Sequence, residues 1–312
     1  MKFAIIGAGA MGSIIGGYLR KGGSDVSLVD PYREHINAIR SNGLDIECNS
    51  HVENIRVKAF ASADDVGEVM DVIIIFTKGY FTRKAAEQAK CLVDDHTQIV
   101  TFQNGLGNPE ILAEVYGRDD ILYGIVQFGG RMLGAGYVRA LINPTSKLIL
   151  GSMKKTITPE MKEIQAAFKD AGLTLELTER PDDAVWGKML GNCQNNVLCG
   201  ITRLELGPYF ASKWSEDLAE VIDKEIRAVA EAKGVTLPPP PEKYGGHFTR
   251  TNPMYNHLAS TAQDMLRGKP TEIDNLNGAI VAEGKRLGVP TPVNEAVTWI
   301  CRIIQENYLN QF

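Results

Sequence analysis

The stretch "KFAIIGAGAMGSIIGGYLRKGG" (residues 2–23) decides the fold. Its first five residues form an apolar run rich in branched side chains, and glycines follow at positions 7, 9 and 12 before a second apolar stretch with helical spacing. That order predicts a buried strand, a tight turn and a helix. Gly7 permits the turn, Gly9 lets backbone approach a diphosphate, and Gly12 allows close packing of helix on strand. The helix N-terminus then supplies amide donors and a favourable dipole for anionic oxygens. Gly7, Ala8, Gly9, Ala10, Met11 and Gly12 are therefore the expected dinucleotide-binding turn.

Working outward, "DVSLVD" supplies a second strand that ends in Asp30. Its spacing from the turn suits a carboxylate that accepts hydrogen bonds from the adenosine ribose. A carboxylate there repels a 2′-phosphate, so NADH is expected over NADPH, although Arg33 is near enough in sequence to reach such a phosphate. "DVIIIFTKGY" (71–80) and "TQIVTFQNGLGNPE" (97–110) are continuous apolar runs ending in polar residues, as expected of buried parallel strands. Ligands of open α/β sheets bind beyond the carboxyl ends of strands, which places Lys78 and Asn104 toward the cofactor. A solvated helix start for Lys78 and a simple turn for "NGLG" are the competing structural readings. "DILYGIVQFGG", "GYVRALI" and "KLILGS" are expected as antiparallel additions completing the sheet, followed by a helix near 159–171 and a strand "LTLEL".

After the charged, proline-bearing "TERPDD" strand signals fade and helical patterns dominate. The expected fold is α/β: a Rossmann-type dinucleotide-binding domain over residues 1–179, then an all-α domain over 180–312. The proline run "LPPPPEKYGGH" (237–247), with its core Pro238–Pro241, must interrupt the helices around it as a stiff extended loop. In "WGKMLGNCQNN" (186–196) a helical wheel gathers Lys188, Asn192, Asn195 and Asn196 in one sector, opposite Trp186, Met189, Leu190 and Val197. Asn is a poor helix former and ordinary solvated faces use Glu, Lys and Arg, so an amide-rich face around one cation suggests binding. In "TEIDNLNGAIV", Thr271 is expected to cap a helix with Glu272 in its first turn, and "STAQDM" offers Ser260 as a small donor.

The chain has 312 residues, 44 % hydrophobic and 23 % charged, with a net charge of −5, which gives no basic excess for nucleic acid. The N-terminal apolar run is too short and glycine-broken for a secretory signal or membrane span, so a cytoplasmic protein is expected. Cys48, Cys91, Cys193, Cys199 and Cys301 form no C-x-x-C pair and are odd in number, which argues against disulfides and zinc.

Taken together, "GAGAMG", "TKGY", "QNGLGN", "VWGKMLGNCQNN", "STAQDM" and "TEIDNLNGAIV" resemble the ketopantoate reductases (2-dehydropantoate 2-reductases) along essentially the whole chain. The resemblance implies a Rossmann domain joined to a helical domain and metal-free reduction of ketopantoate to pantoate with NADPH, on the route to pantothenate and coenzyme A. It makes Lys188 the catalytic lysine, Glu272 a substrate-binding glutamate with a catalytic part, and Asn104 the asparagine beside nicotinamide and substrate. It makes Asn192, Asn196 and Ser260 substrate-holding residues and Lys78 a lysine near the cofactor. Two departures stand out. Asp30-Pro31 occupies the place where many members carry a phosphate-gripping arginine, and His257 replaces a substrate-contacting asparagine. A histidine there can still bond a carboxylate. The competing readings are reduction of another branched 2-keto acid on the same fold, and a non-enzymatic dinucleotide sensor. A homodimer built on the apolar C-terminal helices is compatible with the sequence.

Overall fold

The computed structural model describes residues 1–244, 250–252 and 254–311. The end of the proline run, 245–247, lies outside these residues. Two compact units emerge: Met1–Gln103 with Gly107–Pro181, and Asp182–Phe312 with the short segment Asn104–Leu106.

The first unit begins with β1 (Lys2–Ile6), α1 (Ala10–Lys21), β2 (Asp25–Val29) and α2 (Arg33–Asn42). It continues through β3 (Leu44–Cys48), β4 (His51–Ile55), β5 (Lys58–Phe60), β6 (Val72–Ile75), α3 (Thr82–Gln88), β7 (Gln98–Thr101) and α4 (Asn108–Tyr116). It ends with β8 (Leu122–Val126), β9 (Gly129–Gly134), β10 (Tyr137–Leu141), β11 (Leu148–Ser152), α5 (Pro159–Asp170) and β12 (Leu175–Leu177). The main sheet has the order β12-β11-β8-β7-β6-β1-β2-β5 and is parallel from β5 to β8. From β1 the chain steps outward to β2 and later returns on the other side as β6, so the strand order reverses between β1 and β6. Ligands of doubly wound sheets bind at such a reversal.

The three segments expected to complete this sheet as antiparallel strands do so only in part. β8 joins parallel to β7, and β11 alone pairs antiparallel with β8. β9 and β10 leave for a second sheet, β4-β3-β10-β9, in which β10 runs parallel to β3. Alternation of apolar and polar residues reports one buried face and is silent on which sheet supplies it. Here that face lies on α1, which is packed between the two sheets. A Cβ on Gly16 would lie 2.4 Å from Leu28 of the main sheet, and one on Gly17 would lie 2.5 Å from Ile46 of the small sheet.

The second unit contains α6 (Pro181–Gly191), a π-helical turn (Asn192–Asn196), α7 (Val197–Thr202), α8 (Leu206–Phe210) and α9 (Lys213–Lys233). It then contains α10 (Ser260–Leu266), α11 (Asn277–Leu287) and α12 (Pro292–Glu306). Trp186, Met189, Ile222, Ile226, Val229 and Ile280 lie in its core, and α9 packs on α11 and α12. Among the described residues no helix is long and apolar enough to cross a membrane.

Candidate active site

In the first unit, the glycine turn is shaped by contacts that exclude side chains. Gly7 adopts φ +104°, and a Cβ there would lie 2.7 Å from the Thr77 nitrogen beyond β6. A Cβ on Gly12 would meet the Gly7 carbonyl oxygen at 2.1 Å. At Gly9 the same construction meets nothing within 4 Å, so this backbone faces open space. Gly9 is also the N-cap of α1, whose first turn carries no acid and whose leading N–H groups lack intrahelical partners. A backbone cradle open at Gly9, at a positive helix end and at the sheet's switch point, fits a dinucleotide diphosphate. Ala8, Ala10 and Met11 lie within that cradle, with Ala8 anchored to the Val29 carbonyl at 3.2 Å.

Asp30 stands at the end of β2, where its carboxylate accepts the Tyr32 amide at 2.9 Å. Lys78 lies partly buried beyond β6, and its carbonyl accepts the Phe81 amide at 2.8 Å. Around Lys78, on the β7 side, runs a polar lattice that sequence reasoning missed. The Gln103 side-chain amide donates to the Thr77 carbonyl and to Thr82 Oγ1, both at 2.8 Å, and Thr82 donates to Asn108 at 2.8 Å. These buried groups fix the loops after β6 and β7; their partners are far apart in sequence, so no local pattern announces them.

In the second unit, the helix carrying Lys188 does not continue at 3.6 residues per turn. The π turn adds a residue after Gly191 and frees backbone carbonyls. Remote side chains satisfy them: Tyr209 Oη donates to the Gln194 carbonyl at 2.8 Å, and Asn277 Nδ2 to that of Cys193 at 3.4 Å. The Gln194 side chain is held in turn by buried Asp223 on α9, at 3.0 Å. The helical wheel therefore loses its phase beyond Asn192. What remains is a linked set, in which Asn196 Nδ2 donates to Asn192 Oδ1 at 2.9 Å and to Ser260 Oγ at 3.4 Å.

Lys188 is partly buried on α6. Burial lowers its pKa from 10.5 to about 8, against the opposing pull of the Glu272 carboxylate. Glu272 is buried, but its expected place in the first turn of a helix is not where it sits. α11 starts only at Asn277; Thr271 is anchored on α12 through Gln305, and Glu272 lies in the tight turn that follows, where its carbonyl accepts the Asn275 and Leu276 amides, each at 3.0 Å. Of the intervening residues, Asp274 and Asn275 are poor helix formers.

Asn104 belongs to the short segment that joins this unit. The Leu106 amide donates to the Asn275 carbonyl at 2.9 Å, and Asn275 Nδ2 returns a bond to the Leu106 carbonyl at 3.2 Å. Gly105, at φ +87°, allows this approach, since a Cβ there would lie 2.3 Å from that Asn275 oxygen. The Asn104 segment is thus stitched to the turn that bears Glu272. His257 is partly buried, and its backbone is tied to Leu206 at 3.1 Å and Met254 at 3.0 Å. Pro238 also approaches α6: a Cβ on Gly187 would lie 3.9 Å from it, and the Thr236 amide is bonded to Asp183 at 3.0 Å. Among the described residues no cluster of His, Cys, Asp and Glu could hold a metal ion.

Comparison with known proteins places both units in one family. The family model "Ketopantoate reductase PanE/ApbA" matches residues 3–155, and "Ketopantoate reductase PanE/ApbA C terminal" matches residues 180–305. The 2-dehydropantoate 2-reductase of Pyrococcus horikoshii is 33 % identical over 295 residues, covering 94 % of both chains. Among solved structures, a PanE/ApbA family ketopantoate reductase from Ralstonia eutropha JMP134 aligns with TM-score 0.87 and 31 % identity over 99 % of this chain and 100 % of that one. D-mandelate dehydrogenase, in a complex with NADH and anilino(oxo)acetate, aligns with TM-score 0.89 and 25 % identity over 99 % and 100 % of the respective chains. The chain belongs to the ketopantoate reductase PanE/ApbA family of oxidoreductases.

Proposed function

We propose that this protein reduces a 2-keto acid, with ketopantoate the first candidate, to the corresponding 2-hydroxy acid, and that Lys188 is the proton donor. The observation that carries this reading is the environment of Lys188, a partly buried cation under the influence of the Glu272 carboxylate, on a helix that continues into hydrogen-bonded neutral amides. A lysine with a pKa of about 8 is still mostly protonated at neutral pH, yet gives up its proton more readily than a solvated one. Its charge also polarises a carbonyl oxygen as negative charge develops there. Asn192, Asn196 and Ser260 orient the substrate without adding a charge that would quench the lysine. Glu272 accepts a hydrogen bond from a substrate hydroxyl and opposes excessive loss of the lysine's proton. Asn104 is assigned the place beside substrate and nicotinamide; the bond between Leu106 and Asn275, which ties its segment to the turn bearing Glu272, supports that reading. His257 is assigned to the substrate carboxylate.

When bound at the glycine turn, the dinucleotide supplies the hydride. NADH is favoured over NADPH because Asp30 offers a carboxylate where a 2′-phosphate would sit. The likeness to D-mandelate dehydrogenase supports a second reading, in which the substrate is a bulkier 2-keto acid. The proposal includes a cytoplasmic location, and a homodimer through α12, which exposes Trp299, Ile300 and Ile303. The test is steady-state oxidation of NADH and NADPH with ketopantoate and a panel of other 2-keto acids. Ketopantoate turnover with NADH preferred supports the first reading, and turnover only with aromatic or other keto acids supports the second. Nucleotide binding without any turnover would leave a sensor and refute both.

A further inference from the structure

A buried relay connects the small sheet to the glycine turn. His35 on α2 is fully buried. Its Nδ1 accepts the Gly136 amide at 2.9 Å, and its Nε2 lies 3.1 Å from Ser13 Oγ, which donates to the Ala8 carbonyl at 2.8 Å. Each role is fixed by its neighbour. The Gly136 N–H can only donate, so Nδ1 carries no proton and Nε2 does; Ser13, whose hydroxyl hydrogen is engaged with the Ala8 carbonyl, accepts from Nε2. The relay ends where the turn is least constrained by its own side chains, at Ala8 between Gly7 and Gly9. In a trans peptide the carbonyl and the following N–H point in opposite directions. Holding the Ala8 carbonyl inward on Ser13 therefore turns the Gly9 N–H away from Ser13, at a residue where an added Cβ meets nothing within 4 Å.

We propose that His35 is a positioning residue of the nucleotide site: in its neutral form, through Ser13, it locks the Ala8–Gly9 peptide with its N–H aimed at the cofactor diphosphate. The inference rests on the dinucleotide reading of the turn, and on neither the keto acid nor Lys188. Protonation of Nδ1 would set two donors against each other at Gly136 and release the lock. Burial resists that protonation; the Asp30 carboxylate beyond β2 and the Ala8 carbonyl favour it more weakly, and the Tyr32 ring stacks on the imidazole with centroids 6.1 Å apart. From α1 and the β9–β10 turn the groups bonded to the ring are the Ser13 hydroxyl and the Gly136 amide.

The test measures NADH affinity by fluorescence titration, with no turnover involved, between pH 5 and 7.5. That range stays above the ordinary titration of aspartate side chains, near 3.9. Ser13→Ala should weaken NADH binding about five- to tenfold at pH 7.5, the worth of one hydrogen bond to the turn, and Ser13→Thr should restore it. Because burial holds His35 below the ordinary histidine value of about 6.5, the wild-type chain should keep its affinity through that pH and lose it toward the acid end of the range, and Ser13→Ala should flatten that loss. His35→Leu should weaken binding at pH 7.5, and combining it with Ser13→Ala should add nothing further. Wild-type affinity in Ser13→Ala, or additive losses in the double variant, would overturn the relay. A wild-type chain that binds neither NADH nor NADPH would remove the dinucleotide reading, and this proposal with it.

Discussion

In the glycine turn, the groups offered to a ligand are backbone atoms of a few consecutive residues, shaped by three glycines at the end of one strand. Around Lys188, the groups are side chains on α6, on a π turn, on α10 and on the turn before α11, and the π turn stands only because Tyr209, Asn277 and Asp223 reach it from other helices. A backbone site depends on few side chains: its glycines leave room for the ligand, and Ser13 and His35 bond to the turn from behind. A side-chain site depends on partners far along the chain, and its lysine is tuned by burial and by Glu272.

Lys188→Ala should break the comparison most sharply. As the loss of an acid catalyst it should lower kcat by about 10²- to 10⁴-fold, with the Kd for NADH, from fluorescence titration, unchanged. Gly12→Ala should give the reverse pattern: its Cβ would lie 2.1 Å from the Gly7 oxygen, and the displaced turn should weaken NADH binding roughly ten- to a hundredfold. Tyr209→Phe strands the Gln194 carbonyl of the π turn, at a cost of about 1–3 kcal/mol in unfolding experiments, and should raise KM for the keto acid while sparing NADH affinity. The smallest effect is expected at Asp30. Asp30→Ala should shift the ratio of kcat/KM for NADPH over NADH upward by several-fold, about 1 kcal/mol, by removing a carboxylate from the 2′ position.

The two regions also differed in how far they could be read from the chain. β1, the turn and α1 were legible because glycine spacing and apolar periodicity are local signals, and both refer to the same few residues. Lys188, Asn192, Asn196 and Ser260 were legible as residue types, and the latter three are joined by hydrogen bonds. Their phase was not legible, since a π turn depends on Tyr209 and Asn277, whose relation to Asn192–Asn196 exists only after the helices pack. The same holds for Gln103 and Asn108, which look like ordinary loop residues until Thr77 and Thr82 close on them. Thr271 showed the opposite fault: a sound local capping signal was overridden by its anchorage to Gln305 on α12. β10 had a clear strand pattern but no local mark of the sheet it joins.

In the proposed reaction a partly buried Lys188 gives up the proton, and the pH dependence of kcat/KM for the keto acid tests this directly. A required acid with a pKa of about 8 predicts activity that is level near neutrality and falls tenfold per pH unit above that value. Glu272→Gln removes the charge that raises this pKa, so the alkaline limb should move to lower pH. A profile that stays level to pH 10, or a limb that remains in Lys188→Ala, would contradict the account.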